Sequence, residues 1–250
     1  MNVLALIPHY NHAATITAVA QSMKRQGLDV LVVDDGSAAE CRPVLDALAA
    51  AGTAEVLYRE INGGKGAAVK AGLRYAVQHG YSHILQVDAD GQHNLDDAAK
   101  LLAEAEKQQD AVICAWPQYG SDAPKARLYG RKITDFWNML HTGSRDIKDG
   151  MCGFRLYPLA AAHAVVCSET VGNRMDFDTE ILVRLYWRGV LPVWVKTPVR
   201  YQADGISHFR AWRDNWLISK MHARLFVTML QQRLCNRGRL KSGGTETDKV

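Results

Sequence analysis

The sequence lacks a long uninterrupted apolar run. No stretch approaches the ~18–20 apolar residues that a bilayer-spanning helix needs. The start of the chain, Met1–Leu6, also has no basic segment and too short an apolar core for a signal peptide. We therefore expect a cytoplasmic protein whose contact with lipid, where there is any, is peripheral and on the cytoplasmic membrane face.

Cysteine is scarce and irregularly spaced. The five cysteines are odd in number and contain no Cys-x-x-Cys pair, so the sequence indicates neither a disulfide framework nor a zinc site. The rest of the composition is ordinary for a globular protein, with 48% hydrophobic and 22% charged residues over 250 positions. This length fits one large α/β domain or two small ones.

Positive charge is concentrated near the end of the chain. The net charge is only +4, yet residues 210–241 contain eight basic side chains and a single acidic one, Asp214. A basic face that is so local favours a membrane surface or a phosphate-bearing partner over a nucleic acid, for which a wider basic surface is typical.

Short apolar runs alternate with longer helical patterns in the first half of the chain. Alternation of this kind indicates right-handed βαβ units, and so an α/β fold whose mostly parallel sheet has helices on both faces. The predicted strands are Val3–Ile7, Val30–Val33, Glu55–Tyr58, Ile84–Val87 and Ala111–Ala115, and the predicted helices are Ala14–Arg25, Arg42–Ala50, Lys65–His79 and Leu95–Gln108.

Polar segments follow three of these strands directly. They are Pro8–Asn11, Asp34–Ser37 and Asp88–Asp90. Ligands of open α/β sheets bind outside the carboxyl ends of the strands, so we expect the three segments to form one site.

Asp88 and Asp90 come directly after a buried apolar run. Hard cations such as Mg²⁺ and Mn²⁺ take oxygen ligands and are usually held by one or two carboxylates together with substrate phosphates. The pair therefore indicates a divalent-metal site and nucleotide-linked chemistry, although an Asp-rich turn after a strand is about equally compatible with these two residues alone.

The segment Asn62–Ala68 is rich in glycine but matches neither standard nucleotide motif. A Walker A loop needs an earlier glycine and a Ser or Thr after the lysine, and the dinucleotide fingerprint needs Gly or Ala where Val69 stands. A glycine turn that opens a helix still places backbone N–H groups and Lys65 near a diphosphate. The alternative is a tight turn with a solvated lysine.

The pattern changes after Trp116. Pro117, Gly120 and Pro124 predict a loop, and a second half of the domain follows, ending near residue 210. A disordered tail is expected over 236–250. The expected parts between them are a helix over Lys125–His141, the segment Asp149–Leu156, a helix over Asp178–Arg188, a strand over Pro192–Val195, and an amphipathic helix within 211–235, about Trp212–Leu234.

Taken together, the motifs resemble those of the family 2 glycosyltransferases of GT-A fold, in the dolichyl-phosphate mannosyltransferase-like, or polyprenyl-phosphate glycosyltransferase, branch. They occur in family order over roughly residues 1–210, and the combination is specific although each member is weak. The matching segments are Ile7–Asn11, Asp34–Ser37, Asn62–Gly66, Asp88–His93 and Asp149–Arg155.

The resemblance implies a GT-A domain over 1–210, with a nucleotide-sugar half over 1–115 and an acceptor half over 116–210. It further implies an inverting hexosyl transfer, dependent on Mg²⁺ or Mn²⁺, from a nucleoside-diphosphate sugar to a lipid-linked or other cell-envelope acceptor. An amphipathic helix over 211–235 would then be a candidate for contact with the inner membrane surface.

Roles for single residues also follow from the resemblance. Pro8, Tyr10 and Asp35 are similar to the nucleoside contacts, with Asp35 accepting a hydrogen bond from the base, and Asp88 is similar to the carboxylate near the ribose and the metal. Asp90 and Gln92 resemble direct metal ligands. The remaining implied roles are those of Arg127 and Arg131, which resemble groups that neutralise the leaving diphosphate, and of Asp149, which lies where the family places a carboxylate beside the acceptor.

The nature of the acceptor stays open on sequence alone. Asp149 would act as general base toward a hydroxyl, whereas a lipid phosphate is already an anion and needs no base; the alternative for Asp149 is a turn residue. His12 stands where the family usually has Glu, and Gln202 and His208 replace a basic pair that commonly holds the lipid phosphate. Two other functions are alternatives: a non-catalytic nucleotide-sugar-binding module, and a sugar-1-phosphate nucleotidyltransferase, whose glycine-rich opening loop is missing here.

Overall fold

A seven-stranded sheet forms the centre of the computed structural model, which describes residues 1–119, 125–199 and 210–242. The strands are β1 (Val3–His9), β2 (Asp29–Asp35), β3 (Glu55–Arg59), β4 (His83–Gln86), β5 (Val112–Tyr119), β6 (Arg155–Pro158) and β7 (Pro192–Val199). The helices are α1 (Ala13–Arg25), α2 (Arg42–Ala50), α3 (Lys65–Gln78), α4 (Ala98–Lys107), α5 (Lys125–Thr142), α6 (Leu159–Ser168), α7 (Phe177–Trp187) and α8 (Ala211–Ser242).

The strand order is β3-β2-β1-β4-β6-β5-β7. β6 runs antiparallel to both of its neighbours, and the other described pairs are parallel. The predicted α/β class with a mostly parallel sheet is therefore confirmed. Because β1, β2 and β4 are parallel neighbours, their carboxyl ends meet at one edge of the sheet.

Two hydrophobic layers cover the two faces of this sheet. Leu4 and Leu6 of β1 pack into the layer that includes α3, α6, α7 and α8, whereas Ala5 and Ile7 pack into the layer of α1, α2 and α4. Side chains of a strand alternate between faces, so a strand with apolar residues at every position needs helices on both sides. This explains why the run Val3–His9 is buried throughout.

The loop predicted from Trp116 onward begins later than expected. β5 continues through Pro117 to Tyr119 and pairs in register with β7, Trp116 opposite Lys196 and Pro117 opposite Thr197. On its other side β5 pairs with β6 only at Ile113 and Cys114. Proline lacks an N–H and is tolerated in a strand that has no hydrogen-bonded neighbour on one side. Among the described strands, the end of β5 pairs with β7 alone, so it accommodates Pro117. Gly120 and Pro124 lie outside the described residues.

β6 and α6 were not assigned from the sequence. β6 has only four residues and contains Arg155, a residue type that rarely occupies a central strand without a buried partner. α6, Leu159–Ser168, is apolar or small on nearly every side, so it lacks the one-sided pattern that identifies a surface helix.

The last helix is longer than predicted. α8 runs from Ala211 to Ser242, past the expected end at residue 235. Met221, Leu225 and Met229 are buried, whereas Trp212 is 94% exposed and Trp216 is 69% exposed. No helix within the described residues is apolar over a sufficient length to cross a bilayer. Of the predicted tail, residues 236–242 belong to α8, and residues 243–250 lie outside the described residues.

A buried histidine pair fastens α8 to α5. His141 Nε2 lies 3.1 Å from His222 Nδ1, the two rings stack at 5.3 Å, and Trp137 stacks against both. The pKa of each histidine is lowered to about 4, by burial in both cases and, for His222, also by the neighbouring His141. Both rings therefore favour the neutral form in the folded protein.

This pair predicts acid-sensitive stability. The unfolded chain binds protons at histidine near pH 6.5, before the folded pair does, so the free energy of unfolding should fall as the pH drops from about 6.5 toward 4. Replacing both by leucine, His141→Leu with His222→Leu, should flatten that slope in urea unfolding measured at successive pH values. His79→Gln, at an exposed position, is the control and should keep the wild-type slope; equal slopes in all three proteins would refute the prediction.

Candidate functional site

The three polar segments predicted to share a site meet at the edge formed by β1, β2 and β4. His9 lies opposite Asp34 in the ladder, and a 2.8 Å hydrogen bond joins His9 Nδ1 to Asp34 Oδ1. The N–H of Asn11 donates to Ser37 Oγ at 2.9 Å, and the N–H of Ala38 donates to Asn11 Oδ1 at 2.8 Å. The three segments thus lie at one edge of the sheet, and the first two motifs hold each other in place.

Asp34 and Asp35 are adjacent but have different hydrogen-bond partners. Asp34 accepts hydrogen bonds from His9 and Ser37. Burial opposes the ionisation of Asp34, but these hydrogen bonds hold its pKa below the usual value. Asp35 is 2% exposed and accepts hydrogen bonds from the N–H groups of Gly63 at 3.1 Å and Gly64 at 2.6 Å. Burial raises the pKa of Asp35 despite these donors and the Arg59 guanidinium bound to it.

The carboxylate of Asp35 therefore holds the glycine turn, Asn62–Gly66, in place. Gly64 has a φ of +100°, and a Cβ there would lie 2.6 Å from the carbonyl oxygen of Asn173. Only glycine fits such a backbone conformation and such a close approach. The predicted nucleoside contacts Pro8 and Tyr10 lie at the end of β1, on the same edge as this turn.

Lys65 is a partly buried cation shared by two carboxylates. Its Nζ lies 2.5 Å from Asp88 Oδ1 and 2.7 Å from Asp178 Oδ2. Burial opposes charge on all three groups, but the attraction between them raises the pKa of Lys65 and lowers that of Asp88 well below its usual value. The solvated-lysine alternative is excluded. Lys65 lies at the site, held by carboxylates.

Gly153 is required by this arrangement. A Cβ at position 153 would lie 2.3 Å from Lys65 Nζ and 2.7 Å from Asp88 Oδ1. The segment that resembles the fifth family motif, Asp149–Arg155, therefore passes directly over the charge cluster.

Asp88 and Asp90 line a cavity of about 140 Å³ together with Gln92 and His93. The Nδ1 atom of His93 is buried and has no hydrogen-bond partner among the described residues, and His93 Nε2 lies 3.8 Å from Asp88 Oδ2. Two carboxylates, an amide and an imidazole at one cavity fit a hard divalent cation. Within the described residues no three His, Cys, Asp or Glu side chains cluster tightly enough to enclose a metal.

Arg131 and Asp149 form an ion pair beside the same cavity. Arg131 lines the cavity and contacts Asp149 Oδ2, while its guanidinium lies 5.1 Å from the centre of the Tyr119 ring. Asp149 Oδ1 accepts hydrogen bonds from the N–H groups of Met151 at 2.7 Å and Cys152 at 2.9 Å. Asp149 is thus both the turn residue and the partner of a site arginine.

Arg127 is the other predicted basic group. It precedes Arg131 by one helical turn in α5. Its side chain lies outside the described residues, as do the departures at Gln202 and His208.

Asp135, one turn after Arg131, was not singled out from the sequence. It accepts a hydrogen bond from the N–H of Gly150, and burial together with the nearby Asp149 raises its pKa to about 7. A carboxyl with such a pKa can exchange a proton near neutral pH. The signal in the sequence was weak, because an acidic residue in an amphipathic helix is usually solvated.

Asp178, Gln86 and Arg155 were also missed. Gln86 donates to Asp178 Oδ1 at 2.9 Å, and Arg155, fully buried, donates to the carbonyl oxygens of Asp178 and Asp149. These hydrogen bonds hold Asp178, and through it Lys65, in position. Polar residues inside otherwise apolar segments are the sequence feature that could have indicated them.

Comparison with known proteins gives a family match. The family described as Glycosyl transferase family 2 matches residues 5–165, more than half of the chain. A polyprenol monophosphomannose synthase of Mycolicibacterium smegmatis is 29% identical over 161 residues, which are 61% of this chain and 61% of that protein. An undecaprenyl-phosphate mannosyltransferase of Micrococcus luteus is 35% identical over 116 residues, 45% of this chain and 47% of that protein. The chain thus spans about half to three fifths of the length of these two relatives.

A solved structure shares the fold. Glucosyl-3-phosphoglycerate synthase of Mycobacterium tuberculosis, in complex with Mn²⁺ and uridine-diphosphate-glucose, superposes with a TM-score of 0.69 at 16% identity, over 91% of this chain and 78% of that one. At this identity the likeness establishes the GT-A architecture of the sheet and its helices.

Proposed function

The chain belongs to glycosyl transferase family 2, and from this premise we propose that it transfers a sugar, with inversion, from a nucleoside-diphosphate sugar to a lipid-linked or other cell-envelope acceptor. The observation that carries the proposal is the cavity at the end of β4, where Asp88, Asp90 and Gln92 face Arg131. Carboxylates for a cation and an arginine for a diphosphate stand at one opening, as nucleotide-sugar chemistry requires.

On the donor side, Pro8, Tyr10 and Asp35 would contact the nucleoside, and Lys65 and Asp88 would lie near the diphosphate. Asp90 and Gln92 would hold Mg²⁺ or Mn²⁺, with Asp88 and His93 beside them. A bound cation there would neutralise charge on the departing nucleoside diphosphate. The support is the oxygen-rich cavity and the Mn²⁺ and uridine-diphosphate-glucose bound by the structural neighbour.

The protein's own groups would stabilise the same charge. Displacement at an anomeric carbon passes through an oxocarbenium-like state while negative charge builds on the leaving diphosphate. Arg131, which contacts Asp149 and the ring of Tyr119, would stabilise that charge. Arg127, one turn earlier in α5, would add a second positive group.

On the acceptor side, we favour a lipid phosphate. The relatives named above are a polyprenol monophosphomannose synthase and an undecaprenyl-phosphate mannosyltransferase. Asp149 is compatible with this choice, since its oxygens already accept hydrogen bonds from Arg131, Met151 and Cys152. An anionic acceptor needs no general base.

A non-catalytic nucleotide-sugar-binding module is the remaining alternative. It would keep Asp35 and the glycine turn but would not need Asp90 or Arg131 at the cavity. Metal-dependent turnover of the donor separates the two functions.

The first test is Asp90→Ala. We expect hydrolysis of a nucleoside-diphosphate sugar in the presence of Mn²⁺ to fall about 100-fold or more, as for loss of one group that stabilises developing charge, with little change in thermal stability because Asp90 is at a hydrated opening. Asp96→Ala removes an exposed aspartate from the turn before α4 and is the matched control. Wild-type turnover in Asp90→Ala would contradict the metal assignment, and no turnover in the wild type with any donor would favour the binding module.

The second test asks whether a base is needed. With a lipid-phosphate acceptor, Asp149→Asn and Asp135→Asn should each keep kcat within about tenfold of the wild type. A hydroxyl acceptor would instead require a general base worth roughly 10²–10⁴-fold. A loss of that size in Asp135→Asn would identify Asp135 as the base and overturn the phosphate acceptor, and the pH profile of kcat would show whether a group of pKa about 7 has been removed. Because Asp149 also contacts Arg131, a loss in Asp149→Asn overturns the phosphate acceptor only when donor hydrolysis without acceptor is unchanged.

We also propose that α8 brings the protein to the inner membrane surface. Trp212 and Trp216 are exposed at its start, near the basic residues Arg213 and Lys220. Aromatic groups that bury at the headgroup level beside cationic groups are typical of interfacial helices.

Flotation with anionic vesicles tests this contact. The wild type should float at low salt and less at high salt, because the Debye length shortens from about 10 Å at 0.1 M to about 3 Å at 1 M. Trp212→Ser with Trp216→Ser should remain in the soluble fraction, whereas Val77→Ser with Leu191→Ser, at exposed apolar positions outside α8, should float like the wild type. Equal flotation of both double variants would exclude a role for α8.

A further inference from the structure

A second and larger cavity lies between α8, the loop before α7 and the glycine turn. Its volume is about 420 Å³, within the range of small-molecule sites, and it shares no lining residue with the 140 Å³ cavity. Its basic lining residues are Arg174, Arg213, Lys220 and Arg224, and a single carboxylate, Asp176, lines it with them.

The walls of this cavity are fixed by buried contacts. Glu180 of α7 is fully buried and accepts hydrogen bonds from the N–H of Gly172 at 2.8 Å and from Arg224 Nε at 2.9 Å. Lys70 of α3 reaches the other side of the same loop, donating to Asn173 Oδ1 at 2.8 Å and to the carbonyl oxygen of Val171. The loop and α8 are therefore held together before any ligand binds.

The positive charge in the cavity exceeds what the described residues neutralise. Arg224 is paired with Glu180, and Arg174 Nη1 donates to Asn62 Oδ1 at 3.2 Å. Arg213 and Lys220 have no carboxylate within salt-bridge distance among the described residues. Arginine and lysine side chains gathered at a concave site favour a ligand with several anionic oxygens.

We propose that this cavity binds a phosphomonoester group, at a site separate from the one that binds the nucleotide sugar. The phosphate would contact Arg213, Lys220 and Arg174, and Leu217, the apolar lining residue from α8, would contact the carbon part of the ligand. The inference does not depend on the proposed sugar transfer. It stands on the cavity, its fixed walls and its charge.

A phosphomonoester can come from two sources, a soluble phosphorylated metabolite or a lipid headgroup. Both present the same dianionic oxygens to the arginines. The exposed Trp212 and Trp216 begin the same helix that lines the cavity, so a headgroup in a membrane surface could also reach it. The experiment therefore has one arm for each source.

The test compares three proteins: the wild type, the cavity variant Arg213→Gln with Lys220→Gln, and the control Lys24→Gln with Arg25→Gln. The control loses the same charge from exposed positions of α1, which packs on the opposite face of the sheet. Both altered pairs are exposed, so folding should be unaffected. One arm titrates sn-glycerol 3-phosphate by calorimetry. The other measures sedimentation with phosphatidylcholine vesicles that contain phosphatidic acid, compared with vesicles of equal surface charge that contain phosphatidylglycerol, which has no phosphomonoester.

We expect the cavity variant to bind at least about tenfold more weakly than the control in one or both arms, since hydrogen bonds to charged groups are lost. Loss in the glycerol phosphate arm identifies a soluble ligand, and loss with phosphatidic acid vesicles but not with phosphatidylglycerol vesicles identifies a lipid headgroup. Equal loss on both kinds of vesicle, with none in the glycerol phosphate arm, reflects the surface contact of α8 alone and overturns the proposal. The proposal is overturned when the wild type binds in neither arm, or when the cavity variant and the control bind alike in both. Donor turnover is measured on the same samples, so failure of this site is distinguished from failure of the catalytic one.

Discussion

A single partly buried ammonium group joins the parts of the chain that meet at the carboxyl edge of the sheet. Lys65 begins α3, Asp88 follows β4 and Asp178 lies in α7, so three elements that are remote in sequence meet at one Nζ atom. Burying any one of these charges alone would cost several kcal/mol, and only the three together make the burial tolerable. The cluster therefore fixes the positions of α3, the end of β4 and α7 relative to one another, and a side chain at position 153 would collide with it.

The same cluster sets the charge state of the site. Asp88 stays ionised in spite of burial because Lys65 is beside it, so a carboxylate is available at the cavity throughout the ordinary pH range. Lys65 engages Oδ1, while Oδ2 lies toward His93. Lys65 is thus a counter-ion of Asp88 as well as a candidate diphosphate contact. A bound cation would add its positive charge to a site where Lys65 already offsets the negative charge of Asp88.

The parallel half of the fold could be predicted from sequence because its signals are local. Buried strands such as Val3–His9 are continuous apolar runs, and each polar motif follows its strand directly, so the amino-acid order alone places Asp35 and Asp90 at one edge of the sheet. β6 could not be predicted, since its assignment depends on Arg155 finding carbonyl partners in Asp178 and Asp149, which are distant or in another element. Asp135 was missed for a similar reason: its raised pKa comes from Asp149 and from burial under neighbours that no spacing rule brings together.

Helix α7 connects the two cavities through carboxylates two residues apart. Residues separated by two positions in a helix point to different sides, and here Asp178 holds Lys65 whereas Glu180 holds Arg224 of α8. Both carboxylates are almost fully buried, so neither contact can be exchanged for water at low cost. Arg174 adds a second link, because it lines the basic cavity and donates to Asn62 beside the turn that holds Asp35. A displacement of α8 would therefore be transmitted to the donor edge by ion pairs and by one packed loop, which makes the position of α8 a structural condition for the geometry at Lys65.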